Sequence, residues 1–170
     1  MKELTQTEIE QRAKRIRLVL TDVDGVLTDT GVYYSARGEE LKRFSIRDGM
    51  GMEILREHGV ETAMMTRETS GTVESRSKKL ALPYLYLGIF DKRAFLPQLM
   101  TETGFTMPEL AYIGDDINDV DIIETIGEHG LTACPADAMP VVASIAHYHA
   151  KAPGGHGAFR DFAEWILYHR

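Results

Sequence analysis

One short stretch of the sequence concentrates carboxylates at the point where a buried strand should end. The segment "LTDVDGVLTD" (residues 20–29) places Asp22, Asp24 and Asp29 directly after the apolar run "IRLVL". Aspartate and glycine are also common in ordinary turns, so for this segment alone a plain turn is an equal alternative. Side chains two residues apart in an extended chain point to the same side. Asp22 and Asp24 therefore suit a shared task, such as acting together on one phosphate.

The elements that must position these residues follow from an alternation of apolar and amphipathic segments. Apolar runs of strand length, among them "IRLVLTD", "VETAMMT", "YLYLG" and "LAYIGD", are separated by longer helical patterns. Continuous apolar strands separated by helices predict an α/β fold, a doubly wound parallel sheet with helices on both faces. Residues 31–46 break the alternation, because two strand-like arms around a turn predict a β-hairpin inserted after the first strand.

Polar residues follow the strands of this predicted sheet, at the edge where an open parallel sheet binds its ligands. They are Asp22, Asp24, Thr66, Lys92, Asp115, Asp116 and Asp119. So many carboxylates would repel each other without a cation, and Mg²⁺ prefers carboxylate oxygens, water and phosphate as ligands. We therefore expect Mg²⁺ as the cofactor and a phosphate-bearing ligand.

Such a set of side chains suits phosphoryl transfer. A carboxylate beside Mg²⁺ can attack phosphorus to give an aspartyl-phosphate, while a carboxylate two residues on protonates the leaving oxygen and later activates water. Thr66 would donate a hydrogen bond to a phosphoryl oxygen, and Lys92 would neutralise the charge that develops in the transition state.

Composition limits the class of protein. The chain has 170 residues, and we expect a single domain over residues 16–170 preceded by an N-terminal helical extension over residues 1–15. With 26 acidic and 19 basic residues the formal charge is −7, which argues against a nucleic-acid partner. We find neither a signal peptide nor an apolar stretch near the roughly 20 residues of a membrane span. Cys134 is the single cysteine, so no disulfide is expected, which fits a reducing cytosol. Together these features lead us to expect a cytoplasmic protein with no membrane partner.

The motifs "DVDGVLTD", the threonine of "MMTRE", "DK" and "GDDIND", in this order, resemble the four motifs of the haloacid dehalogenase-like (HAD) phosphatase superfamily. The resemblance covers about residues 16–161. It implies that Asp22 is the nucleophile and Asp24 the general acid and base, with Thr66 and Lys92 as further catalytic residues.

The same resemblance implies a set of metal ligands. Asp22, the backbone carbonyl of Asp24 and Asp115 would hold Mg²⁺, with support from Asp116 and Asp119. For Asp119 an exposed position at a helix N-terminus, favoured by the helix dipole, is the alternative.

The spacing of the motifs leaves no room for the cap domain that many superfamily members insert. Between Thr66 and Lys92 there is space for one helix and one strand. The segments "TDVDGVLTD", "RFSIRDGMG", "AYIGDD" and "GGHGAFRD" are similar to the capless phosphatases of 3-deoxy-2-ulosonate phosphates. This resemblance implies a sugar-phosphate substrate, either 3-deoxy-D-manno-octulosonate 8-phosphate or a nine-carbon 9-phosphate analogue, in the synthesis of lipopolysaccharide or sialic acid. It also implies a homotetramer that associates through the hairpins, with each C-terminal tail reaching into a neighbour's active site.

Seven residues are candidates for binding the sugar: Arg47, Asp48, Arg67, Glu68, Arg76, Lys79 and Arg160. Arg76 and Lys79 would lie on one helix face and offer cations to a sugar carboxylate, with a solvated basic face as an equal alternative. Glu68 with Lys79 resembles the nine-carbon branch of that family more than the eight-carbon one. Arg160 would come from the neighbouring subunit, with an ordinary surface arginine as its alternative. Arg67 stands where the family usually has glycine, so it either turns away or adds a phosphate contact.

Two other classes of protein stay open. A phosphorelay receiver domain also combines Mg²⁺, an aspartate that accepts phosphate, a threonine and a lysine, but its acidic pair comes first in the chain. Here the acidic cluster comes last, and Asp24 stands two residues after the expected acceptor Asp22. The third class is a non-catalytic assembly module, against which the intact set of catalytic residue types argues. Catalytic release of phosphate would distinguish a hydrolase from both.

Overall fold

A parallel β-sheet forms the centre of the molecule in the computed structural model, which describes residues 3–170. The strands are β1 Leu18–Thr21, β2 Thr28–Ser35, β3 Gly38–Phe44, β4 Glu61–Met65, β5 Tyr84–Tyr86, β6 Leu110–Ile113, β7 Leu131–Cys134 and β8 Tyr148–His149. Six of them form one sheet in the order β5-β4-β1-β6-β7-β8. Each neighbouring pair in it is parallel.

Helices cover both faces of this sheet. They are α1 Gln6–Ala13, α2 Ile46–Glu57, α3 Gly71–Lys79, α4 Lys92–Thr103, α5 Val120–Gly127, α6 Pro140–Ala143 and α7 Ala158–His169. Alternation along β1 divides the core, because Val19 packs into the cluster with α2 and α7 whereas Leu18 and Leu20 pack with α4 and α5. The doubly wound α/β prediction is confirmed. Across residues 3–170, no helix has the length and apolar character needed to cross a bilayer.

The hairpin β2–β3 stands apart from the main sheet. Its antiparallel arms pair from Thr28 with Phe44 to Ser35 with Gly38, so the chain turns at residues 36–37. The inserted hairpin predicted from the sequence is therefore confirmed, and its first arm begins three residues earlier than expected. Several of its large apolar side chains face solvent: Tyr33, Tyr34 and Leu41.

The N-terminal helix α1 begins with a capping box. The hydroxyl of Thr5 accepts a hydrogen bond from the Glu8 backbone N–H, and a Glu8 carboxylate oxygen accepts one from the Thr5 backbone N–H. Arg12 then donates to the carbonyls of Gly127, the last residue of α5, and of Gly130, at 2.7 and 2.8 Å. These bonds tie α1 to the main domain, and the division at residue 15 stays a prediction.

The order of the strands places a binding crevice at the carboxyl end of β1. From β1 the chain crosses to β4 on one side, and it later returns to pair β6 on the other side. In doubly wound sheets such a reversal leaves a crevice that no crossover connection covers. The residues that follow β1, β4 and β6 meet there.

Candidate active site

The side chains after β1, β4 and β6 line one open pocket. Its lining residues are Asp22, Asp24, Thr30, Thr66, Arg67, Glu68, Asp115, Asp116 and Asn118. The backbone N–H of Asp22 donates to the Ile113 carbonyl at 3.0 Å, which extends the pairing of β1 and β6 and brings the first and last motifs side by side. The predicted convergence of these loops is therefore what the structure shows.

Lys92 lies beneath the pocket and joins two of the carboxylates. Its ammonium is 3.0 Å from an Asp22 oxygen and 2.6 Å from an Asp119 oxygen, and its side chain is almost completely buried. Burial opposes the charge of this ammonium, but the carboxylates of Asp22 and Asp119 outweigh burial and raise the pKa of Lys92. Lys92 therefore stays charged and holds the carboxylate of Asp22 in place.

Tyr112, on β6, completes this buried network. Its hydroxyl accepts a hydrogen bond from Lys92 at 3.0 Å and donates one to Asp119 at 2.6 Å. Burial, and then the charge of Asp119, raise the pKa of Tyr112 well above its ordinary value. The hydroxyl is thus a fixed neutral donor.

Asp119 is fully buried, so the alternative of an exposed helix position is wrong. Its second oxygen accepts hydrogen bonds from the backbone N–H groups of Asp115 and Asp116, at 2.9 and 3.3 Å. A Cβ at position 114 would lie 2.5 Å from the Asp119 carboxyl carbon, so only glycine fits there. Asp119 therefore shapes the loop after β6 as well as binding Lys92.

Three carboxylates fit a divalent cation. One oxygen each from Asp22, Asp115 and Asp119 lies within 4.8 Å of the others. Burial and the charge of Asp119 raise the pKa of Asp22 to about 7, and burial and the charge of Asp22 raise the pKa of Asp115 to about 8. One buried oxygen of Asp115 has no hydrogen-bond partner among the described residues. Three carboxylates that repel each other, one of them with an oxygen that has no donor, suit Mg²⁺.

The other two predicted metal residues point elsewhere. The Asp24 carboxylate turns to Lys42 of β3, whose ammonium lies 2.8 and 2.7 Å from its two oxygens. The Asp116 carboxylate is exposed and accepts a hydrogen bond from the Ile117 backbone N–H at 2.6 Å. Neither carboxylate therefore joins those of Asp22, Asp115 and Asp119. For Asp24, the backbone carbonyl is left as the predicted metal ligand.

Thr66, Arg67 and Glu68 form one side of the pocket, directly after β4. The Thr66 hydroxyl accepts a hydrogen bond from the Glu68 backbone N–H at 3.1 Å, which fixes the turn. The Arg67 guanidinium lies over the ring of Phe90, 4.8 Å from its centroid. Stacking on an aromatic ring holds an exposed arginine in place without a carboxylate partner. Arg67 therefore stays at the pocket instead of turning away.

Within one chain, five of the predicted sugar-binding residues do not line the pocket: Arg47, Asp48, Arg76, Lys79 and Arg160. The expected shared face of α3 does not form, because Arg76 turns inward to the Ser45 carbonyl at 2.8 Å whereas Lys79 is exposed. Asp48 is buried and accepts a hydrogen bond from the Arg160 backbone N–H at the start of α7. Asp48, Arg76 and Arg160 thus have partners within this chain. Binding of substrate by all five residues stays a prediction.

Four residues at the site were absent from the sequence-based prediction: Thr30, Lys42, Tyr112 and Asn118. Asn118 and Thr30 line the pocket, and both stand within or beside motifs that the sequence identified. Lys42 carried no usable signal, since a lysine in a hairpin is ordinarily exposed. Tyr112 stands in an apolar strand, where an aromatic residue predicts packing alone.

The fold and this set of side chains define an enzyme of the HAD-like phosphatase class in which a hairpin, instead of a cap domain, follows the first strand. No model of a known protein family matches the sequence. The 3-deoxy-D-manno-octulosonate 8-phosphate phosphatase KdsC of Yersinia pestis is 36% identical over 160 residues, which cover 94% of this chain and 84% of that protein.

Solved structures give the same result. The cobalt-bound deoxy-D-mannose-octulosonate 8-phosphate phosphatase of Haemophilus influenzae is 34% identical, with a TM-score of 0.88 over 94% of this chain and 91% of that one. The 3-deoxy-D-manno-octulosonate 8-phosphate phosphatase of Moraxella catarrhalis, in complex with magnesium, phosphate and KDO, is 32% identical. Its TM-score is 0.89 over 98% of this chain and 94% of that one. The chain belongs to the KdsC family of HAD-like phosphatases.

Proposed function

We propose that this protein is a Mg²⁺-dependent phosphatase that releases phosphate from 3-deoxy-D-manno-octulosonate 8-phosphate through an aspartyl-phosphate on Asp22. The observation that carries the proposal is the Asp22 carboxylate at the base of the pocket, held by Lys92 and close to two further carboxylates. The KdsC relatives, one of them described with magnesium, phosphate and KDO, support the substrate.

The chemistry follows from the position of each side chain. An Asp22 oxygen attacks phosphorus, and the bond from phosphorus to the sugar oxygen breaks. Asp24, which lines the pocket, gives a proton from its carboxylic acid form to the departing sugar oxygen, and the carboxylate so formed then takes a proton from the water that cleaves the aspartyl-phosphate. Thr66 donates to a phosphoryl oxygen, and Lys92 orients Asp22 and favours its ionised form.

The cation would be held by Asp22, the backbone carbonyl of Asp24 and Asp115. Asp119 and Asp116 would support it by shaping the loop after β6. Bound Mg²⁺ supplies positive charge that offsets the negative charge of the phosphoryl oxygens.

Arg67 is proposed to bind the carboxylate of the sugar. Among the pocket residues within the described chain it is the single cation, and the ring of Phe90 holds its guanidinium in place. Paired guanidinium donors match the geometry of a carboxylate. Glu68, beside it, would accept hydrogen bonds from sugar hydroxyls.

We also propose the homotetramer, with the hairpins at its centre. The hairpin exposes 67% of Tyr33, 71% of Tyr34 and 61% of Leu41, a concentration of apolar surface that favours burial against another copy. In such an assembly Arg160 would act from a neighbouring subunit. The mass in solution, measured by light scattering for the wild type and Leu41→Lys, tests this arrangement.

Family membership decides against the receiver-like alternative, and turnover tests the non-catalytic one. A panel of 3-deoxy-D-manno-octulosonate 8-phosphate, its nine-carbon 9-phosphate analogue and N-acetylneuraminate 9-phosphate, assayed with and without Mg²⁺, identifies the substrate. We expect the eight-carbon ester to turn over fastest; a faster nine-carbon ester would place the protein in the sialic acid branch.

A cytoplasmic location is proposed as well, supported by the buried free thiol of Cys134.

A further inference from the structure

Lys42 occupies an unusual position in the hairpin. Its side chain is only 1% exposed, although it stands on a strand that lies outside the main sheet. The preceding residue, Leu41, is 61% exposed. Strand β3 therefore sends its lysine inward and its leucine outward, the reverse of the alternation that burial of apolar surface favours.

The ammonium of Lys42 is held by two carboxylates. It lies 2.8 and 2.7 Å from the two oxygens of Asp24 and 3.5 Å from an oxygen of Glu39. Glu39 in turn accepts hydrogen bonds from the hydroxyls of Ser70 and Thr72, at the start of α3. Lys42 and Glu39 thus link the loop after β1 to the segment after β4, two of the three segments that line the pocket.

The contacts leave Asp24 fixed but accessible. Its side chain lines the pocket and keeps 28% exposure, while Lys42 and the Thr28 hydroxyl, at 3.2 Å, hold the carboxylate. A buried ammonium is costly unless it is paired, and an apolar residue would hold the hairpin in place as well. A buried charge that local patterning disfavours is a mark of a functional position.

We propose that Lys42 is a positioning residue for the phosphatase reaction. It fixes the Asp24 carboxylate in the orientation that delivers a proton to the departing sugar oxygen. The inference rests on the proposed function, since it assumes that Asp24 acts as the general acid. Lys42 itself is not among the residues that line the pocket.

The leaving group provides the test. A sugar alkoxide needs a proton as it departs, whereas p-nitrophenolate leaves without one. Misplacing Asp24 should therefore slow attack on the sugar ester and spare attack on the aryl ester. We would measure two things: the single-turnover rate of phosphoenzyme formation from both esters, and the steady-state kcat and KM on the sugar ester. The proteins compared are the wild type, Lys42→Met, Lys42→Arg and Lys78→Met. Lys78→Met removes an exposed lysine of α3 and is the matched control.

For Lys42→Met we expect kcat on the sugar ester to fall about 100-fold with KM changed by less than about threefold, the size of effect that small misplacements of catalytic groups produce. Phosphoenzyme formation from p-nitrophenyl phosphate should stay within about threefold of the wild type, and Lys42→Arg should restore most of kcat. If Lys42→Met does not fold, Lys42→Gln, which keeps a polar side chain without the charge, is measured in its place.

Two results for Lys42→Met would overturn the inference. One is an unchanged kcat on the sugar ester. The other is an equal fall in the rate of phosphoenzyme formation from both esters that Lys42→Arg does not restore, which would mean that Lys42 only stabilises the hairpin. An inactive wild type would instead contradict the proposed function itself, so the two failures are distinguishable.

Discussion

Protons and Mg²⁺ should compete for the same carboxylates in this pocket. The pKa of Asp22 is raised to about 7 and that of Asp115 to about 8, in both cases first by burial and then by neighbouring carboxylates. An aspartate in water has a pKa near 3.9 and would be ionised throughout this range. Since Mg²⁺ binds the ionised form, its affinity should depend on pH where ordinary carboxylates would give no dependence.

The size of the effect follows from these values. A carboxyl group with a pKa of about 7 is about 90% protonated at pH 6 and about 10% protonated at pH 8. Displacing this one proton weakens Mg²⁺ binding about tenfold between pH 8 and pH 6, and the proton on Asp115 weakens it further. We therefore expect the dissociation constant of Mg²⁺ to rise at least about tenfold over this interval.

Titration calorimetry of the metal-free protein measures both the dissociation constant of Mg²⁺ and the number of protons released. Mg²⁺ would be titrated at pH 6, 7 and 8, in two buffers of different ionisation enthalpy so that the protons released are counted. Asp115→Asn should bind Mg²⁺ much more weakly, whereas Asp121→Asn, which changes an exposed carboxylate of α5, should match the wild type. A dissociation constant that is the same at pH 6 and pH 8, with no proton release, would refute the electrostatic account of the site.

Four further predictions concern stability and specificity. The folded pKa values of Asp22 and Asp115, about 7 and about 8, lie above their ordinary values, so the folded state binds more protons between about pH 4 and pH 8. Urea unfolding of the metal-free protein should therefore show stability that falls as pH rises through this window. Tyr112→Phe, which removes a hydroxyl bonded to Lys92, should lower the free energy of unfolding by about 1 to 2 kcal/mol in the same assay. Thr30 has a φ of 64°, which is strained for a β-branched residue, so Thr30→Gly should raise that free energy by about 1 kcal/mol. Arg67→Met should raise KM for the sugar acid about tenfold and leave KM for a sugar phosphate without a carboxylate unchanged, and an equal rise for both would mean that Arg67 binds phosphate.

The main sheet and the pocket could be predicted because their signals are local. Apolar runs give the strands, and the carboxyl ends of parallel strands must meet at one edge, which is how Asp22, Thr66 and Asp115 come together. The burial of Asp119 was harder to predict, because its sequence position also suits an exposed helix start. Only the approach of Lys92 and Tyr112 from two other elements explains it.

The side-chain positions that could not be predicted from the sequence mostly depend on contacts between segments far apart in the chain. Lys42 meets Asp24 only because the hairpin folds back over the loop after β1, and no periodicity in β3 indicates that. Arg76 was expected beside Lys79 on a helix face, but the carbonyl of Ser45, on the neighbouring helix start, draws its guanidinium inward. Helical spacing predicts which residues share a face, and it does not predict which of them a neighbouring element will bind.

The most direct test of the account is to trap the phosphoenzyme. The protein would be mixed with 3-deoxy-D-manno-octulosonate 8-phosphate labelled in its phosphate, in the presence of Mg²⁺, and quenched in acid within a single turnover. We predict label on a peptide that contains Asp22, label that decays as free phosphate appears, and neither label nor phosphate release in Asp22→Asn. Phosphate release by Asp22→Asn at the wild-type rate, or label on another residue, would contradict the account.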